Sequence, residues 1–114
     1  MRFTRITLPT LLAILFSMNS YATVDCVFEP TVAKVGAYGN NEGKLYVCGH
    51  PGDWDCYNLG DGSDQQAKNR YSTILSALAS GKKVRLRFYN YTTGECDLAR
   101  ANSTIPSSTW IQKN

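Results

Sequence analysis

Long apolar runs are missing from this chain. The most extended, residues 8–18, is too short to cross a bilayer as a stable helix, so no membrane span is expected. Histidine is almost missing as well: His50 stands alone, in a Gly-His-Pro-Gly turn, which argues against acid–base chemistry built on histidine. No two cysteines have the C-x-x-C spacing of a zinc knuckle or a thioredoxin-like centre. No serine has the setting of a nucleophile elbow, and Glu29, Glu42 and Glu95 fall in turns or loops. These gaps lead to the expectation of a non-enzymatic protein without cofactor or metal. Asp53, Asp55, Asp61 and Asp64 form a local acidic group, but they lack the alternation and terminal glutamate of a calcium loop.

The chain carries an export pattern. Arg2 and Arg5 form a positive start, residues 8–18 an apolar centre, and Ser20 and Ala22 a small-residue cleavage site, so residues 1–22 read as a signal peptide. Residues 23–114 then form one domain, secreted or periplasmic. Without Arg2 and Arg5 the 12 basic side chains fall to 10, against 9 acidic ones. Near-neutrality removes any global attraction to nucleic acid, which is therefore not the expected partner. Cys26, Cys48, Cys56 and Cys96 form an even set, which in an exported chain reads as two disulfides supporting a thin core.

Strand and helix signals follow in order. Residues 31–38 (TVAKVGAY), 44–48 (KLYVC) and 54–59 read as three short strands separated by Gly, Asn and Pro clusters. Ser63 followed by Gln66 matches a capping box, with Asp64 adding charge at the positive end of a helix dipole. Ala67, Tyr71, Ile74, Leu75 and Leu78 make one apolar stripe, and Gly81 is placed to stop the helix in a left-handed conformation. From Lys83 the period becomes two, with Val84, Leu86 and Phe88 on one face and Lys83, Arg85, Arg87 and Tyr89 on the other. Residues 91–108 read as a long polar loop, and residues 109–112 as a last strand.

The order β-β-β-α-β-β is that of the OB-fold, so the expected architecture is mainly β with one helix: an OB-fold-like, five-stranded small barrel stapled by disulfides. The helix ending in Ala79-Ser80-Gly81, followed by Lys-Lys-Val-Arg-Leu-Arg, resembles the helix-to-strand segment of the exported pentameric B subunits of subtilase-cytotoxin and pertussis-like bacterial toxins. It also resembles a broader set of small exported OB-like proteins of Gram-negative bacteria. The resemblance implies a carbohydrate-binding module and raises a homo-oligomeric ring as its assembly. In such a barrel the entry of the first strand and the exit of the fourth meet, pairing Cys26 with Cys96, while Cys48 and Cys56 flank one short connection. Cys26 with Cys48 and Cys56 with Cys96 is the alternative.

Binding residues are sought where OB-folds bind, on the face of strands two and three and adjacent loops. Tyr46, Trp54 and Tyr57 lie in or beside that region, and their rings suit sugar faces. Arg85 and Arg87, beside Lys83, could grip a phosphate, sulfate or carboxylate, arginine being suited to bidentate anion recognition. A glycan or an exported protein is thus the expected partner, the protein reading implying a monomeric interaction or inhibitor-like factor.

Overall fold

The computed structural model describes residues 22–36 and 43–112; the signal-peptide expectation lies almost wholly outside them. Among the described residues, six strands and two helices run in the order β1 (Thr23–Phe28), β2 (Val32–Val35), β3 (Lys44–Cys48), β4 (Cys56–Asp61), α1 (Gln65–Ser80), β5 (Val84–Tyr89), α2 (Cys96–Ala101) and β6 (Ser108–Ile111). They form two three-stranded antiparallel sheets, ordered β1-β5-β6 and β2-β3-β4, over one core. No described helix is long and apolar enough to cross a membrane.

The first strand departs from expectation. β1 begins at Thr23, and alternation buries Val24, Cys26 and Phe28 while Thr23, Asp25 and Val27 face out. Pro30 has no N–H for a ladder, so pairing stops there and resumes as β2 in the other sheet. The strand expected at residues 31–38 is therefore shorter, and Tyr38 lies outside the described residues. The third expected strand starts at Cys56 rather than Trp54, because residues 49–55 fold into a hydrogen-bonded loop.

Helix α1 is capped by Asp64, not Ser63: the Asp64 carboxylate accepts from the Gln66 N–H at 3.4 Å. Ala67, Ile74 and Ala77 are buried, Tyr71 and Leu78 pack on the core, and Leu75 is 46% exposed, a correction to the expected stripe. At roughly 100° per residue, Leu75 turns out of the face that Ala77 enters. Gly81 ends the helix at φ 65°, with Lys82 N–H donating to the Ala77 carbonyl at 3.0 Å. The expected polar loop contains the second helix, α2, which buries Ala99 and places Cys96 beside β1.

A closed five-stranded barrel is not formed. No ladder joins β4 to β6 among the described residues. β4 carries an extra residue where its register with β3 shifts, and its polar groups are satisfied by side chains instead. Arg70 donates to the Leu59 carbonyl at 3.0 Å, Gly60 N–H donates to Asn58 Oδ1 at 2.9 Å, and Asn58 Nδ2 donates to the Ser103 carbonyl at 3.4 Å. Ser103 and Ile105 come against β4 at Asn58 and Gly60, where a closing strand would lie.

Disulfides join Cys26 to Cys96, tying β1 to α2, and Cys48 to Cys56, across the β3–β4 connection. They are the pairs that the strand-end argument selects, and they fit an oxidising exported compartment. Their sequence separations are 70 and 8. On the loop-entropy account the long bridge stabilises by about 4 kcal/mol and the short one by about 2.5 kcal/mol. Urea unfolding should therefore rank the paired variant Cys26→Ser with Cys96→Ser as less stable than Cys48→Ser with Cys56→Ser. The reverse order would contradict this assignment of roles.

Candidate binding loop and charged sheet face

Residues 49–55 leave β3 and return in β4 with their base closed by the Cys48–Cys56 bridge. Gly49 has φ 137°, and a Cβ there would sit 2.9 Å from the Glu29 carbonyl, so only glycine allows the loop to lie this close to the β1–β2 bend. Thr31, in that bend, donates from its N–H to the Cys48 carbonyl at 2.9 Å and from its hydroxyl to the Asp53 carbonyl at 2.9 Å. Within the loop, Gly49 N–H donates to Asp55 O, Asp55 N–H to Gly52 O, and Gly52 N–H to the Asp55 carboxylate. Arg100 reaches across from α2 to the His50 carbonyl at 3.3 Å. The loop backbone is thereby fixed from the bend, from α2 and from within.

Trp54 stands on this fixed backbone at 74% exposure. A tryptophan is the largest apolar side chain a fold can bury, and here the core takes other rings. Phe28, Tyr57 and Phe88 stack in succession at 5.5 and 5.8 Å between centroids.

Tyr57 is one of those core rings, which corrects its expected place on a binding surface. It is fully buried, and burial pushes its hydroxyl pKa up to about 12. Its hydroxyl pairs with His50 Nδ1 at 2.7 Å, and the Arg100 guanidinium lies 5.9 Å from its ring centroid. His50 also stacks on Phe28 at 5.4 Å, so the lone histidine anchors its loop to the core. Tyr46 is half-buried on the outer face of the β2-β3-β4 sheet, in register with Lys34 and Asn58. It lies one row along that sheet from the Cys48–Cys56 bridge, and Trp54 lies in the loop beyond the bridge.

Arg85 and Arg87 occupy the outer face of the other sheet, so the structure does not gather the five candidate residues into one site. Two residues that sequence reasoning missed organise the arginines: Asp25 of β1 and Trp110 of β6. Arg87 faces Asp25 in register and grips both of its oxygens, Nε to Oδ1 at 2.8 Å and Nη2 to Oδ2 at 3.0 Å. Arg85 faces Trp110, and the guanidiniums of Arg85 and Arg87 lie 5.5 and 5.3 Å from its ring centroid. The strict alternation of TVDCVF was the available signal that Asp25 faces outward; its partner, 62 residues away, had none.

The acidic group disperses into separate duties. Asp64 caps α1, and Asp55 accepts from Gly52 within the loop. Compared with protein-family models, with curated proteins and with solved structures, the chain matches none.

The hydrogen bond from Arg87 holds the Asp25 carboxyl below its ordinary pKa of 3.8, and burial opposes this only in part. Its contribution to stability is therefore complete above the unfolded value near 3.8 and disappears as pH falls through the lower folded value. Thermal melting followed from neutral pH into that acid range should show an excess loss in wild type that Asp25→Asn lacks. Parallel pH curves for the two proteins would contradict the pairing.

Proposed function

We propose that this chain is an exported, non-enzymatic binding module that engages its ligand through Trp54, with a glycan as the ligand class. The observation that carries the reading is an exposed tryptophan on a loop whose backbone is already fixed. A contact residue on a pre-ordered loop loses little conformational entropy when it binds, and an indole face stacks on sugar rings. Engagement of the lone histidine by Tyr57 and Phe28 supports a structural rather than catalytic role for His50.

The order of the elements supports the same proposal. β1 and β2 act as one bent strand shared by both sheets, followed by β3, β4, helix, β5 and β6, an OB-like order lacking only the closure between β4 and β6. OB-folds bind oligosaccharides on the face that corresponds here to β3 and β4, where Tyr46 lies and from which the Trp54 loop springs. The residue 1–22 pattern and the two disulfides support a secreted or periplasmic location for this module. The toxin-subunit resemblance adds a ring of copies to this reading, which native mass spectrometry tests directly: a strict monomer removes the ring and leaves the binding loop.

A protein partner is the second reading. It is favoured by the same exposed ring of Trp54, since tryptophan is among the side chains that most often anchor protein contacts.

A glycan array separates the readings. Wild type should bind, and Trp54→Ala should weaken binding by about tenfold or more, the loss of one stacked ring being worth about 1–3 kcal/mol. Tyr46→Ala should weaken it less. A silent array for wild type rejects the glycan, and equal binding by Trp54→Ala rejects the loop.

A further inference from the structure

On the outer face of the β1-β5-β6 sheet, two arginines meet one carboxylate. Arg87 takes both Asp25 oxygens, and Arg85 comes no closer to that carboxylate than 3.8 Å, beyond hydrogen-bond distance. The Arg85 Nε–H is shielded from solvent and has no hydrogen-bond partner among the described residues. Yet the side chain is held: Val27 faces it in register from β1, Trp110 faces it from β6, and the guanidinium lies 5.5 Å from the Trp110 ring centroid. A guanidinium offers five donors in a rigid fork, and here packing rather than hydrogen bonding fixes its position. The side chain keeps 30% exposure, which leaves part of the fork open to solvent.

Charge on this face is unbalanced. Lys83, Arg85 and Arg87 share the outward parity of β5, and Asp25 is the one acidic residue opposite them in the β1 ladder. Lys83 is exposed and stands two residues from Arg85, roughly 6.6 Å along a strand. With both Asp25 oxygens taken by Arg87, Arg85 keeps only a longer ion pair to that carboxylate, Nη1 to Oδ2 at 3.8 Å, and no hydrogen bond to it.

We propose that Arg85, positioned on Trp110 and flanked by Lys83, is a receptor for an oxyanion group: a carboxylate, sulfate or phosphate. The fork supplies paired donors, Lys83 supplies a second positive charge, and Trp110 and Val27 supply apolar walls. The site lies on the sheet opposite to that of the Trp54 loop and does not depend on that loop's function.

The chain has two tryptophans, so a Trp54→Phe background makes Trp110 fluorescence a reporter of this site. That protein is titrated with sodium sulfate, sodium phosphate and sodium acetate, each against sodium chloride at matched ionic strength. A saturable change with at least one oxyanion and none with chloride is expected. Preference for acetate assigns a carboxylate; preference for sulfate or phosphate assigns a tetrahedral group. Arg85→Gln should weaken binding about tenfold or more, as expected for hydrogen bonds to a charged group. Arg85→Lys, which keeps the charge and loses the fork, should weaken it less, and Lys68→Gln on α1 should leave it unchanged. No saturable response, an equal response to chloride, or an unaltered response in Arg85→Gln overturns the proposal. Where Arg85→Gln does not fold, the Arg85 guanidinium Nη–H resonances of the Trp54→Phe protein decide instead: a saturating shift supports the site, and unmoved resonances overturn it.

Discussion

Pro30 cannot donate a ladder hydrogen bond, and the chain turns there from one sheet into the other. Both sheets inherit their placement from that bend. Upstream, β1 runs in register with β5 and is tied by Cys26 to α2; downstream, β2 runs in register with β3. Thr31 at the bend then holds both the end of β3 and the loop that follows it. Gly49 completes the contact, since its missing side chain lets the loop lie against the bend. The direction in which Trp54 is presented is thus a consequence of where one strand breaks.

The outer face of the other sheet follows a different constraint, the shortage of carboxylate. Arg85 and Arg87 are neighbours on one strand face, and alternation alone makes them equivalent. Cross-strand register does not: Arg87 faces Asp25 and Arg85 faces Trp110. One arginine becomes half of a bidentate pair, and the other becomes a cation held by packing. The same logic of pairing governs the core end of the loop, where the buried Tyr57 hydroxyl finds the His50 ring and avoids the cost of an unpartnered buried polar group.

Features that depend on near neighbours in sequence were readable before the fold was known. β3 has the bounds its pattern predicts, Gly81 ends its helix, and Val84, Leu86 and Phe88 face inward. Features that depend on what arrives from elsewhere were not. Tyr57 and Trp54 flank one cysteine and look alike in composition, but the strand begins between them, so one ring enters the core and the other remains in water. Helix α2 is six residues long, too short to display a period, and exists where Cys96 is drawn to Cys26. Barrel closure fails because Arg70, Asn58 and the segment around Ser103 satisfy β4, partners that no local pattern announces.

The Trp54 loop is held by its own backbone hydrogen bonds, packed against the bend, and is not merely closed by its disulfide. Amide hydrogen exchange read residue by residue by NMR tests it most directly, because the Gly49, Gly52 and Asp55 N–H groups are the donors that hold the loop together. The account predicts that these three amides exchange slowly, within the range of the β3 and β4 ladder amides, and that Gly49→Ala speeds all three. Exchange at the rate of an open chain in the wild-type protein, with the disulfide intact, would contradict it.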